Sequence, residues 1–415
     1  MRRLAIVVPE YRTPEAPGGG LAAVTDFVAG AFGGAHLPVE ERWVVRLVSP
    51  RMFHGAPEHA SPLRPGSLLR GPVARRRSTA AGHEAWDVGT VCAEFEPNRY
   101  RPRRALTALV EDCDAAIVVA GTPAIGNAMR DVRIPWVLKV ASLVEEERAA
   151  RLAVTRGLRG VLVRATTAAT ARLDTAALEL AGTVVTLNSS MADRLCELTD
   201  RPVTVLPVGI DTDTYHPATR RAADGPIVMV SRLNDPRKDV QALLRAYALA
   251  RREHGVRHRL VLAGRHALPP TDVDLIDELG LRAVVDVVAS PTDAELAALL
   301  RTGSLFALAS REEGLGVVFL EAMASGLPVV TTATRGAVQA VPAEAGTLVA
   351  SGPTMVRDFA AALAQGVHDR TLADERGARA RAHVEATYAN EVAERAWRDV
   401  VSGAMAAHEG PGGPR

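Results

Sequence analysis

The sequence predicts an α/β protein built as two doubly wound, parallel-sheet domains. Three observations carry this prediction. The chain has 415 residues, more than one hydrophobic core usually organises. Short apolar runs alternate with helically spaced segments along most of its length. After a proline-rich stretch at 202–217 the alternation starts afresh, so the same architecture is written twice.

The elements follow in order. Residues 4–8 form an apolar run ending at Pro9, and after three glycines a helix is expected over 21–32. Strand-like runs recur at 43–48, 115–119, 136–140 and 184–187, with helical spacing between them. Residues 54–83 break into Pro, Gly, Ser and Arg and read as a mobile surface loop. Residues 202–217 are the expected hinge. Beyond them come runs at 227–230, 260–263, 284–288, 305–308 and 329–331. The expected domains are 1–207, with a helix at about 390–406 crossing back onto it, then 208–389, then a tail at 407–415.

Composition excludes several classes. A formal net charge of +1 with 47% hydrophobic and 23% charged residues excludes bulk disorder and a nucleic-acid-coating protein. The first apolar run is too short for a signal peptide, and no stretch has the length of a membrane-spanning helix. A cytoplasmic protein is expected, with room for a peripheral membrane contact. Cys92, Cys113 and Cys196 lie far apart and read as three buried thiols rather than a disulfide framework or zinc site. Residues 51–104 carry ten Arg against five acidic residues. That local excess of +5 is either a solvated face or an attractor of an anionic acceptor or membrane surface. Of the 49 basic residues only Lys139 and Lys238 are lysine. A lysine kept against so strong an arginine bias is a candidate for chemistry that a planar guanidinium performs badly.

Gly18, Gly20 and Ala23 fit G-x-G-x-x-A, but Gly18 lies nine residues beyond Pro9 and no acidic residue closes the second strand, so nicotinamide binding is not expected. What survives is a set of unobstructed backbone N–H groups at a helix N-terminus, suited to an anion. Neither a P-loop nor a G-x-S-x-G elbow occurs. The pairs Asp112/Asp114, Asp211/Asp213 and Asp272/Asp274 read as caps and strand ends before metal ligands, and no metal is expected.

The second half is more informative. Arg232 follows the run 227–230 and Lys238 lies near the next helix N-terminus, so two cations stand where a diphosphate would be clamped. After 305–308 a loop carries Glu313, Gly314 and Gly316, with Glu321 inside the following helix. Bare glycine N–H groups there suit an anion or a sugar hydroxyl.

The run 310–330, with Glu313, seven residues, Glu321, then Ala322-Met323-Ala324-x-Gly326-x-Pro328-Val329-Val330, resembles the donor-site signature of bacterial family 4 retaining glycosyltransferases of the GT-B fold. Ser231-Arg232-Leu233 with Lys238, and the stretch 206–217, resemble that family's two other landmarks. The resemblance implies two Rossmann-like domains facing across a cleft. It implies that Arg232 and Lys238 hold a donor diphosphate and that Glu313 takes sugar hydroxyls, these three being the catalytic set. It further implies donor binding by Glu321 on the ribose, by Gly314, Leu315 and Gly316 through backbone N–H groups, by Ala289 and Ser290 at the base, by Gly19 and Gly20 at the diphosphate, and by Ser231 and Leu320. Where many relatives carry His-Gly, this chain reads Lys139-Val140-Ala141-Ser142, which makes Lys139 and Ser142 the acceptor-side candidates.

The expected function is a metal-independent, retaining transferase of hexosyltransferase type, using a UDP- or GDP-type sugar donor and no cofactor. A small-molecule or natural-product acceptor is expected first, and a surface-glycan or lipid-linked acceptor is the alternative. A GT-B nucleotide-sugar epimerase or a silent nucleotide-binding partner are the other readings.

Overall fold

A computed structural model describes residues 1–13, 20–219 and 224–409. They divide into two compact units, Met1–Leu206 with the chain from Glu394 onward, and Pro207–Ala393. Gly19 and the tail beyond 409 lie outside the described residues.

In the first unit the strands are β1 (Arg3–Val7), β2 (Val44–Ser49), β3 (Ala74–Ser78), β4 (Glu84–Val88), β5 (Ala115–Val119), β6 (Trp136–Lys139), β7 (Thr183–Thr186) and β8 (Val203–Val205). They lie in the order β3-β4-β2-β1-β5-β6-β7-β8, parallel throughout except β3, which runs antiparallel to β4. The central strands are buried on both faces, as at Ala115–Val119, which is why they read as continuous apolar runs rather than alternating ones. One face packs with the helix Gly20–Gly33 and the last helix, Asn390–Glu409. There Phe32, Trp397 and Val401 share a cluster with Leu4, Ile6 and Val119.

The second unit holds β9 (Ile227–Val230), β10 (Leu260–Gly264), β11 (Val285–Ala289), β12 (Leu305–Leu308), β13 (Val329–Thr332) and β14 (Gly346–Val349). Their order is β11-β10-β9-β12-β13-β14, all parallel. The chain therefore steps outward from β9 to β11 and returns to the other side of β9 at β12. The reversal opens a crevice at the carboxyl ends of β9 and β12, where ligands bind in sheets of this kind. The helix after β9, Val240–His254, buries Leu243, Leu244, Tyr247 and Ala250, and Gly255 at φ 69° ends it.

The expected α/β class and two parallel sheets are present. Three expectations are corrected. Residues 54–83 are not a continuous loop, because they hold the helix Pro65–Arg70 and edge strand β3. All five residues of β3 are exposed, so no apolar alternation marked it. The hinge stretch begins with β8, paired to β7. The thiols are not all buried either: Cys113 is buried, Cys92 half-buried and Cys196 exposed. Among the described residues no helix is long and apolar enough to cross a membrane.

Candidate functional site

The turn after β9 is built from its own polar side chains. Ser231 donates its backbone N–H to Ala263 (3.0 Å), and its hydroxyl is buried without a partner among the described residues. Gly264, at φ 153°, passes so close that a Cβ there would lie 1.6 Å from the Ser231 carbonyl oxygen. Only glycine fits that approach. Asp235 accepts from the Arg237 backbone N–H (3.1 Å) and pairs with Arg232 (2.7 Å) and Arg237 (2.9 Å). The Arg237 hydrogen bond is the largest of several influences that hold its carboxyl down at about 2. Asp239 takes a left-handed conformation (φ 44°) and caps the next helix through the Ala242 N–H.

The loop after β12 is stitched to that turn. Lys238 Nζ and Glu313 Oε1 form an ion pair at 2.7 Å, with side chains only 15% and 6% exposed. Ser310 Oγ donates to the same carboxylate oxygen at 2.8 Å. Arg311 bonds Asp239 through Nε (2.6 Å) and donates its backbone N–H to the Arg237 carbonyl (2.8 Å). Two residues the sequence reading passed over support this loop from beneath. Thr332 donates its hydroxyl to the Ser310 carbonyl. Gly336 donates its N–H to the Glu313 carbonyl (3.2 Å), where a Cβ would come within 2.6 Å of that oxygen.

Gly316, at φ 74°, precedes the helix Val317–Ala324, and no side chain caps that helix. A Cβ on Gly316 would run to 2.5 Å from the Phe319 ring. The open N-terminus leaves backbone N–H groups and the positive end of the helix dipole for an anion. Gly314 is exposed, Leu315 buried and Leu320 fully buried in the core of this unit. Leu320 thus presents its side chain to packing rather than to solvent.

Glu321, over one turn into this helix, has its carboxyl pushed up to about 7 by burial and then by the charge of Asp293, against the opposing hydrogen bond from Tyr215. Tyr215 sits in a turn headed by Asp211, which accepts from the Asp213 and Thr214 N–H groups (3.0 Å each). Arg381 pins that turn through the carbonyls of Thr212, Tyr215 and Ala324. Ala289 closes β11, and Ser290 follows at φ 51°, donating its N–H to the Gly264 carbonyl (2.7 Å). Ser231, Arg232, Ser290, Ser310 and Glu313 therefore all follow carboxyl ends of the same sheet.

In the first unit Gly20 opens its helix. Lys139 ends β6, in register between Val119 and Val185, and is only 2% exposed. Its ammonium has no hydrogen bond or ion pair to a described residue, and burial pushes it down to about 8. Ser142 donates its N–H to the Gly121 carbonyl (2.9 Å) and its hydroxyl to Glu147 (2.8 Å). Glu147 is a carboxylate that sequence reasoning missed; its signal was the acidic first turn of the helix Val144–Val154. Asp174 accepts from the Ala124 and Val144 N–H groups (2.8 and 3.0 Å). It fixes that segment while burial raises its own carboxyl to about 6. In the three Asp-x-Asp pairs the first carboxylates already have protein partners: Asp112 holds Arg3 and Arg46, Asp211 its own turn, and Asp272 the Gln241 amide.

Residues 225–369, within the second unit, match the family described as glycosyl transferases group 1. A relative named MMP alpha-(1->4)-mannosyltransferase, from Mycolicibacterium hassiacum, is 30% identical over 200 residues, 48% of each chain. The chain spans about half the length of the curated relatives it matches. Two solved structures share the fold. A sucrose-phosphate synthase from Thermosynechococcus elongatus gives a TM-score of 0.68 at 19% identity, covering 98% of this chain and 100% of that one. Anabaena Alr3699/HepE, solved with UDP and glucose, gives 0.61 at 17% identity, covering 97% and 100%. The fold is accordingly the GT-B architecture of two Rossmann-like units.

Two stability measurements check the geometry. Lys238→Met leaves the Glu313 carboxylate buried without its cation and is expected to lower urea-unfolding stability by about 3 kcal/mol. Adding Glu313→Gln should restore most of it. Lys139→Met should behave oppositely. A depression from 10.5 to about 8 corresponds to about 3 kcal/mol of destabilisation at pH 7. The missing stability returns as pH rises from about 8 through 10.5, because over that range the unfolded chain binds the proton that the folded chain has released. The variant should be more stable than the parent at pH 7, with the difference closing towards pH 10.5.

Proposed function

We propose that this chain is a transferase that moves a hexose from a UDP- or GDP-type sugar to an acceptor, with retention at the anomeric carbon and without a metal. The observation that carries the reading is the Lys238–Glu313 pair at the strand-order reversal of a domain matching glycosyl transferases group 1. The relative named a mannosyltransferase and the HepE structure holding UDP and glucose support a nucleotide-linked hexose.

In this reading Arg232 and Lys238 receive the diphosphate. The anomeric C–O bond breaks with its electron pair going to the diphosphate oxygen, the acceptor oxygen forms the new bond on the same face of the sugar, and its proton leaves with the diphosphate. Fixed cations lower that barrier because they are already in place when the charge develops. Lys238 is held by Glu313 until the donor arrives. The diphosphate then shares the ammonium, and Glu313 gains capacity to accept sugar hydroxyls. The N–H groups around Gly314, Leu315 and Gly316 meet sugar and phosphate. Glu321 takes the ribose hydroxyls, Ser231 offers its unpartnered hydroxyl, and Ala289 with Ser290 borders the base. Leu320 acts by holding its helix. On the acceptor side, Lys139 keeps an ammonium against its own burial, the mark of a group retained for binding or chemistry. Ser142 is oriented by Glu147.

The test is product analysis with UDP- and GDP-sugars and a panel of acceptors, by mass spectrometry. Release of nucleotide diphosphate with a glycosylated product is expected. An interconverted sugar nucleotide, or no turnover of any donor, overturns the transferase reading. Chelator should leave the rate unchanged. Arg232 is half exposed, so Arg232→Ala removes a cation without opening the core, and a rate loss of about a hundredfold is expected. Glu321 supplies a pH signature. Its carboxyl sits at about 7 and hydroxyls donate to the ionised form. Calorimetric affinity for a sugar nucleotide should therefore rise about tenfold from about pH 6 to 8, and Glu321→Gln should flatten the rise.

A further inference from the structure

The segment 51–104 has two properties that seldom coincide on a soluble surface. Its five acidic residues are turned inward: Glu58 and Asp87 are buried, and Glu84, Glu94 and Glu96 are half-buried. Most have cation partners, with Glu58 under Arg75 and Arg77, Asp87 against Arg51 and Arg77, Glu84 on Arg46 and Arg76, and Glu96 on Arg148. The outer layer is arginine, with Arg70, Arg75, Arg76, Arg77, Arg101 and Arg104 all exposed. Six of the segment's ten arginines are thus displayed to solvent while none of its five acids is, although Arg75, Arg76 and Arg77 also pair with those acids.

Large apolar side chains are displayed beside it. Both exposed phenylalanines and three of the four exposed leucines among the described residues lie here: Phe53 at 65%, Phe95 at 60%, Leu63 at 77%, Leu68 at 42% and Leu69 at 93%. The helix Pro65–Arg70 is inverted relative to a core-facing helix, since its buried residue is Ser67, whose hydroxyl accepts from the Ser61 N–H (2.9 Å). A polar side chain anchors it and its leucines face out. Charges on an edge strand such as β3 also discourage edge-to-edge pairing, but that does not account for the leucines and phenylalanines.

The exposed apolar residues lie in segments at one end of the sheet, and Arg75, Arg76 and Arg77 run from that end along edge strand β3. The segments following β2 and β4, and the helix leading into antiparallel β3, all meet at the carboxyl ends of β2 and β4. They are tied together there: Ala60 bonds Thr90 (3.0 Å) and Cys92 (2.8 Å) through the backbone, Arg64 reaches the Ala56 carbonyl (2.8 Å) and Ser61 donates to Glu94. Lys139 and Ser142 lie at the carboxyl edge of the same sheet.

We propose that this face docks the protein on an anionic lipid bilayer, with Phe53, Leu63, Leu69 and Phe95 entering the headgroup boundary and the surrounding arginines neutralising the lipid charge. Apolar area and basic residues together are the combination that gives reversible surface binding, and each arginine at the surface contributes about fivefold in partitioning. Docking here brings the acceptor edge of the first sheet to the membrane surface. The inference does not depend on the sugar-transfer reading, because docking is measured without a donor.

The experiment is co-sedimentation of the intact chain with vesicles of phosphatidylcholine alone or with about 30% phosphatidylglycerol. Binding to the anionic vesicles, weakened at about 0.5 M salt, is expected. Leu63→Ser with Leu69→Ser should lower the partition at least about tenfold, and Arg70→Glu with Arg101→Glu by a comparable factor. Val39→Ser, at an exposed apolar residue elsewhere on this unit, should change nothing. Unchanged unfolding midpoints show that the variants fold. Equal binding to neutral vesicles, no loss in the paired variants, or binding to soluble polyglutamate without binding to vesicles overturns the proposal.

Discussion

The second unit depends on one buried ion pair. Lys238 and Glu313 are 75 residues apart, follow neighbouring strands, and are each too buried to be left alone. A carboxylate or ammonium stripped of water and unpaired costs several kcal/mol, so the turn after β9 and the loop after β12 are obliged to meet. The Arg311–Asp239 bond and the Arg237–Arg311 backbone bond make the meeting a seam rather than a single point. A polar seam of this kind is weak evidence for net stability, but it specifies geometry sharply. It also leaves the cations of the site partly neutralised before any ligand arrives, Lys238 by Glu313 and Arg232 by Asp235.

Backbone conformation completes what the ion pair begins. Gly264, Gly316, Asp239 and Ser290 all have positive φ, and all lie at the carboxyl ends of strands or just beyond them. In residues other than glycine such conformations persist only when surrounding contacts over-determine them. Here the Ala242 N–H holds Asp239 and the Gly264 carbonyl holds Ser290, whereas Gly264 and Gly316 take such angles freely and have no room for a Cβ beside the Ser231 carbonyl and the Phe319 ring. In this unit the non-glycine residues with positive φ, Asp239, His266 and Ser290, all lie in segments that follow strand carboxyl ends, and none lies within a strand.

The first unit solves a different electrostatic problem. Lys139 has no compensating carboxylate among the described residues, whereas Asp174 spends its buried carboxylate on two backbone N–H groups that orient the segment carrying Ser142. Farther along the same sheet, acids turn inward and arginines outward. One sheet edge therefore combines an isolated buried ammonium, a serine–carboxylate pair and a cationic, apolar rim.

Most of the architecture was legible in the sequence, because central parallel strands are buried on both faces and announce themselves as unbroken apolar runs. Glycines and charged residues placed after those runs marked the donor-side candidates. Strand β3 was illegible for the converse reason, since an edge strand exposed at every position carries no periodic signal. Leu320 was legible as part of a motif but not as a core residue, because burial is decided by neighbours. Tyr215, Asp293, Thr332 and Gly336 could not be found along the chain, since each acts on a residue brought near only by folding, whereas Glu147 acts five residues away on Ser142 and left a local signal. The linear order of residues thus determined which groups stand at strand ends. Only tertiary structure decided that Lys238 faces Glu313, that Glu321 is shielded enough to keep its proton near neutrality, and that the segment 51–104 turns its acids inward. Pair distance and desolvation are properties of space, and covalent order alone sets neither.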